Sequence, residues 1–119
     1  MAIDRDSCEL LCLDLPKAEV ARRQLPSHET LEAWASAAKA LGDPTRLAVV
    51  VALASCGTAC VCDLAWIVGR DEKLVSHHLR QLKGAALARS ERDGRMVMYE
   101  LTARGHALLT AIAPQESRA

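Results

Sequence analysis

Between Val61 and Ala85 lies the pattern that most constrains how this chain can fold: a short helix, a tight glycine turn and a longer helix with a polar face. Val61, Leu64, Ala65 and Val68 recur at helical spacing, Gly69 stops the run, and Asp71 stands where the next helix needs a cap. In that second helix Val75, Leu79 and Leu82 face inward. Lys73, Ser76, His77 and Arg80 recur at the i, i+3, i+4, i+7 spacing on another side. These are the proportions of a helix–turn–helix that presents its second helix to a DNA groove. Leu87–Glu91 and Arg95–Leu101 then read as strands joined by Arg92-Asp93-Gly94, and Asp-Gly between such runs signals a hairpin.

The flanking sequence completes a winged fold. A helix is predicted from about His28 to Leu41, capped by Ser27, with Leu31, Trp34, Ala35, Ala38 and Leu41 on one face and Gly42 at its end. Asp43-Pro44 opens another, running to about Ser55 and so uniformly apolar that it should be the central buried helix. Cys56-Gly57-Thr58-Ala59 reads as a turn, and a last helix spans roughly Thr102 to Ala113 before Pro114. The expectation is a mainly α fold with a β-hairpin wing, a winged helix–turn–helix over residues 27–113. It follows an acidic arm, residues 1–26, punctuated by Pro16 and Pro26, and precedes a short tail, 114–119. At 119 residues the chain fits one domain.

Charge sharpens the functional reading. Lysine plus arginine and aspartate plus glutamate both number 15, so there is no formal net charge, yet the distribution is uneven. Residues 1–19 carry a balance of −3 and residues 74–95 a balance of +3. A local basic stripe points toward a polyanion, although many solvated helix faces look similar. On the second helix Lys73, Ser76, His77, Arg80 and Gln81 are placed to meet DNA. Arginine and glutamine can pair with base edges, while serine and lysine mostly meet phosphates. Arg89, Arg92 and Arg95 on the wing could touch phosphates or a minor groove. The longest apolar run, Leu47 to Ala54, is far short of the ~20 residues of a spanning helix. Asp4, Arg5, Asp6 and Glu9 precede any apolar stretch, unlike a secretory signal. A soluble, cytoplasmic protein without a membrane partner is expected. No nucleophile–base–orienter set and no phosphate loop suggests an enzyme.

Five cysteines, an odd number without a secretory signal, argue against a disulfide framework. Cys60-Val61-Cys62 opens the short helix, where two thiols one residue apart can converge. A helix N-terminus favours thiolate over thiol. Cys8 and Cys12 would share a face if the arm is helical there. Four thiolates in two pairs suit a soft cation such as Zn(II), Cd(II) or Pb(II). Cys60 and Cys62 could equally be small core residues with the arm thiols incidental. Cys56 fits neither pair and is expected to pack. His77 and His78 point about 100° apart on a helix and are poorly placed to share a metal; one should face outward and one should be half-buried.

Four segments together resemble the ArsR–SmtB family of metal-responsive repressors, most closely its CadC-type cadmium/lead sensors. They are Asp6-Ser7-Cys8-Glu9-Leu10-Leu11-Cys12, Leu41-Gly42-Asp43-Pro44-Thr45-Arg46, Cys60-Val61-Cys62-Asp63-Leu64-Ala65 and Val75-Ser76-His77-His78-Leu79-Arg80-Gln81-Leu82. The resemblance spans about residues 6 to 113. It implies a homodimeric repressor that binds double-stranded operator DNA, an inverted repeat, and leaves it when metal binds. It makes Cys8 and Cys12 of one protomer and Cys60 and Cys62 of the other the metal ligands, with Cd(II) or Pb(II) as inducer and Zn(II) also accommodated. Two departures follow. The C-terminal metal site of many relatives has Ala103 and Gly105 in its first pair of ligand positions, with His106 out of register, so that site is not expected. The third cysteine of arsenic-sensing relatives is Ala65 here. A thiol-redox sensor and a metal buffer on the same scaffold are the rival readings.

Overall fold

The computed structural model describes residues 14–113. Their order is α1 (Leu15–Arg23), α2 (His28–Ala40), α3 (Pro44–Cys56), β1 (Ala59–Cys60), α4 (Val61–Val68), α5 (Glu72–Gly84), β2 (Ala88–Asp93), β3 (Met96–Leu101) and α6 (Ala103–Ile112). The architecture is a winged helix–turn–helix. The chain divides into two compact units, one ending at Leu31 and one beginning at Glu32.

In the first unit, α1 forms within what the sequence suggested only as an acidic arm; it buries none of its residues. Pro16 sits in its first turn, where a missing N–H costs nothing, and Arg22 and Arg23 lie in the last turn. The Ser27 Oγ accepts a hydrogen bond from the Thr30 backbone N–H at 3.1 Å, which caps α2 as predicted.

In the second unit Leu53, Leu64, Leu79, Leu82, Leu87, Val49, Val50 and Val75 are fully buried, each stabilising by roughly 1.5–3 kcal/mol. Central placement of α3 holds: Val49, Val50, Ala52 and Leu53 are buried. The predicted α2 face is corrected. Leu41 packs inward as predicted, but with Ala37 and Ala40, whereas Leu31, Ala35 and Ala38 are exposed and Trp34 remains 53% exposed. Ala37 and Ala40 join the buried cluster, and Trp34 turns outward.

Three antiparallel strands lie in the order β1-β3-β2. Two-residue β1 occupies part of what read as a turn; Ala59 pairs with Tyr99 and Cys60 with Met98. The hairpin turn also falls one residue later than predicted. Asp93 pairs with Met96, leaving Gly94 and Arg95 as the loop. Gly94 takes φ 66° while Arg95 stays at negative φ, the pattern of a two-residue turn with glycine first.

Helix α5 ends in a Schellman arrangement: Leu87 N–H donates to the Leu82 carbonyl and Ala86 N–H to that of Lys83. This puts Ala86, not glycine, in the left-handed region at φ 64°. Thr102 then ties this corner to α6. Its N–H donates to the Leu87 carbonyl at 3.0 Å and its hydroxyl to that of Ala86 at 2.9 Å. The Thr102 hydroxyl also accepts from the Gly105 N–H, capping α6. At Gly105 the approach is so close that a Cβ would stand 2.2 Å from the Leu87 carbonyl oxygen.

Candidate metal centre and nucleic-acid interface

Cys60 and Cys62 sit where β1 becomes α4. Cys60 is the N-cap, extended at φ −93°, ψ 168°, and is buried; Cys62 lies in the first turn and is exposed. That change from strand to helix turns both side chains to one side, with Sγ atoms 3.3 Å apart. The Asp63 carboxylate joins them, so that one donor atom from each of Cys60, Cys62 and Asp63 lies within 4.8 Å of the others. Asp63 stands in the Cys60-Val61-Cys62-Asp63 motif, but the sequence alone assigns it no role. Its position one residue beyond the second thiol was the available signal.

At Cys62 the expected thiolate is corrected. The hydrogen bond with Cys60 raises the pKa of Cys62 above its ordinary value; desolvation and the negative potential of Cys60, Asp63 and Glu72 add to the rise. Adjacent thiols and carboxylates repel a further anion, and the dipole of an eight-residue helix does not outweigh them. The Cys62 thiol thus holds its proton more tightly than a free cysteine, and a divalent ion bound there would release it. The donor set of two sulfurs and one oxygen fits Zn(II) and softer ions. Cys8 and Cys12 lie outside the described residues. Cys56, expected to pack, is exposed at the last turn of α3, beyond the packed part of the helix.

The helix–turn–helix is closed by Gly69, left-handed at φ 72°, whose N–H donates to the Ala65 carbonyl. Asp71 Oδ1 accepts from Leu74 N–H at 2.9 Å and starts α5. Val75, Leu79 and Leu82 face the core as predicted, and Lys73, His77, Arg80 and Gln81 are exposed on the other side. Ser76 is half-buried and accepts from the Arg80 guanidinium at 2.9 Å. Lys83 Nζ donates to Ser90 Oγ at 2.8 Å, joining α5 to the wing. On the wing Arg89 pairs with Glu100 across the ladder at 2.6 Å, and Arg92 and Arg95 stand exposed at its end.

His77 and His78 divide as expected, though His78 is more than half-buried, at 6% exposure. Its Nε2 is 3.9 Å from Asp43 Oδ2, too long for a hydrogen bond, and Nδ1 is buried without a partner. Burial and the Arg46 charge lower the His78 pKa despite nearby Asp43, so the ring stays neutral. Asp43 itself accepts from the Arg46 N–H at 2.9 Å, and this bond lowers its pKa. His78 therefore packs α5 against the cap of α3.

Comparison with known proteins agrees with this geometry. The profile of the bacterial regulatory protein arsR family matches residues 43–90. A cadmium resistance transcriptional regulatory protein CadC homolog from Staphylococcus aureus is 34% identical over 97 residues, 82% of this chain and 79% of the relative. The HTH-type transcriptional repressor SmtB of Mycobacterium tuberculosis is 37% identical over 90 residues, 74% of this chain and 66% of the relative. Among solved structures, a homodimeric winged helix–turn–helix DNA-binding domain from Mycobacterium bovis superposes with a TM-score of 0.64 at 27% identity. It covers 74% of this chain and 83% of that one.

Proposed function

The chain belongs to the ArsR family of bacterial regulatory proteins, transcriptional repressors rather than enzymes, and from that premise we propose a metal-responsive repressor that binds operator DNA as a metal-free homodimer and leaves it when Cd(II), Pb(II) or Zn(II) binds. The observation that carries the proposal is the dithiol of Cys60 and Cys62, 3.3 Å apart, at the start of the first helix of the DNA-binding pair. Cys8 and Cys12, from an arm taken as residues 1–26, would complete a four-thiolate site. Exposed Trp34 on α2 and Ile112 on α6 offer apolar surface for a second copy. A two-fold dimer presents two α5 helices, which suits an inverted-repeat operator.

Lys73, Ser76, His77, Arg80 and Gln81 would meet the major groove, with Arg89, Arg92 and Arg95 on the backbone or minor groove. A bound divalent cation supplies the positive centre on which the thiolates converge. Cys60 and Cys62 would shift as they give up their protons and draw α4 with them. For about a 100-fold loss of DNA affinity the coupling is about 2.7 kcal/mol, within the usual allosteric range. The test is fluorescence anisotropy of the reduced protein on its own promoter DNA at fixed salt, titrated with Cd(II), for wild type and Cys60→Ser. Tight metal-free binding, released by Cd(II) in the wild type alone, supports the proposal. Binding indifferent to Cd(II) removes the metal response. Loss that dithiothreitol reverses without metal would make the dithiol a redox sensor.

A further inference from the structure

We propose that His78 makes operator binding sensitive to protons: the neutral ring seats α5 for DNA, and a charged ring unseats it. The inference rests on the DNA-binding reading above and adds a second effector to it, one that acts apart from the cysteines. On α5 the buried stripe is Val75, His78, Leu79 and Leu82, so an ionisable ring fills one position of an otherwise apolar face. Its Nε2 faces Asp43 Oδ2 at 3.9 Å, and that same oxygen accepts the Arg46 N–H at 2.9 Å. Among the described residues, the buried side-chain nitrogens without a hydrogen-bond partner are His78 Nδ1 and Arg46 Nε. Both belong to this junction of α5 with the start of α3.

A neutral imidazole has one N–H to place, whereas an imidazolium has two. Here the charged form would meet a shortage of acceptors and a surplus of positive charge. Arg46 faces the ring from α3, Arg70 from the turn before α5, and His77 from α5 itself with ring centroids 5.8 Å apart; Asp43 opposes them. Burial first, and these cations with it, favour the neutral form. A charge-assisted bond to Asp43 needs about 2.8 Å, so the cap or α5 must close about 1 Å of the gap. The Nδ1–H would still lack an acceptor, and only solvent could supply one. Charging the ring therefore shifts or opens the seat of α5, and Lys73, His77, Arg80 and Gln81 ride on that helix. A groove that grips α5 in its seated position disfavours the charged ring. By linkage, protons then weaken DNA binding.

A charged His77 would act in the opposite sense, because it is exposed and a cation beside phosphates strengthens binding. The comparison therefore keeps His77 in every arm and changes His78 alone, as His78→Gln or His78→Leu. The experiment is fluorescence anisotropy of reduced, EDTA-treated full-length protein on its own promoter DNA. Salt is held fixed while pH is taken from about 7.5 to about 5.5. Circular dichroism at each pH follows helix content. The expected result is a wild-type affinity that falls about fivefold further than that of either variant, at constant helix content. Such a loss lies within the roughly tenfold per pH unit that one proton allows. Equal pH dependence in all three proteins would overturn the proposal. So would wild-type helix loss in step with release from DNA, which reduces His78 to a stability group. Should neither variant fold, NMR titration of the His78 ring in the wild type, free and on DNA, decides the matter: a lower midpoint on DNA supports the proposal and an equal one overturns it. A wild type that binds no operator at about pH 7.5 ends the repressor reading itself, and this inference with it.

Discussion

Gly105→Ala should destabilise the protein, against the ordinary rule that alanine improves a helix. Replacing a helical glycine by alanine usually gains about 0.5–1 kcal/mol. Here the added Cβ would stand 2.2 Å from the Leu87 carbonyl oxygen and 3.2 Å from its carbon. The obstructing atoms are backbone, so no side chain can swing aside. Reaching ordinary contact needs a shift of about 1 Å, enough to break the bond from Thr102 N–H to the Leu87 carbonyl and strain the Thr102 cap of α6. Overpacking of this kind costs about 1–3 kcal/mol, and each strained hydrogen bond about 0.5–1.5 kcal/mol. Set against the propensity gain, the net loss is about 2 kcal/mol. Urea unfolding at fixed protein concentration should show a lower midpoint with an unchanged slope. A midpoint equal to or above wild type would refute the close approach of α6 to the α5–β2 corner.

Ala86→Gly should raise stability by about 0.5–1 kcal/mol in the same assay, because φ 64° strains any residue with a Cβ. His78→Gln should flatten the acid side of the stability curve. The folded pKa of His78 lies below 6.5, so on acidification the unfolded chain takes up the proton first. Wild-type stability is thus complete above pH 6.5 and falls as pH drops toward the folded value, a slope the variant should lack. Arg92→Ala and Arg95→Ala should each reduce the salt slope of operator binding by about 1 and weaken all DNA sequences alike, measured by anisotropy at several salt concentrations.

How legible these features were depended on whether their cause was local. Asp43, Gly69, Asp71 and Thr102 end or begin helices through their own side chains or backbone freedom, and helices α3 to α6 were placed to within a residue or two. Strand β1 has two residues, too few for alternation to register, and exists because β3 offers it a ladder. The inward face of α2 was misjudged because bulk, not spacing, decided it: Ala37 and Ala40 fit where Trp34 does not. The cysteine pair was readable from one-residue spacing. The raised Cys62 pKa was not, because it arises from Cys60, Asp63 and Glu72 assembled in space.

Cys60 belongs to the wing as much as to the helix it caps. Its ladder partner Met98 lies on β3, three residues from Arg95 at the hairpin end. At ~3.3 Å per residue that stretch is a lever arm of about 10 Å. A tilt of about 6° at the Cys60–Met98 pair would sweep the tip through about 1 Å. Charged hydrogen bonds to phosphate occupy a window of only about 0.5 Å in distance. On the proposed reading, a pull on the Cys60 thiol would be geared up, through a two-residue strand, into a displacement as large as such phosphate contacts tolerate.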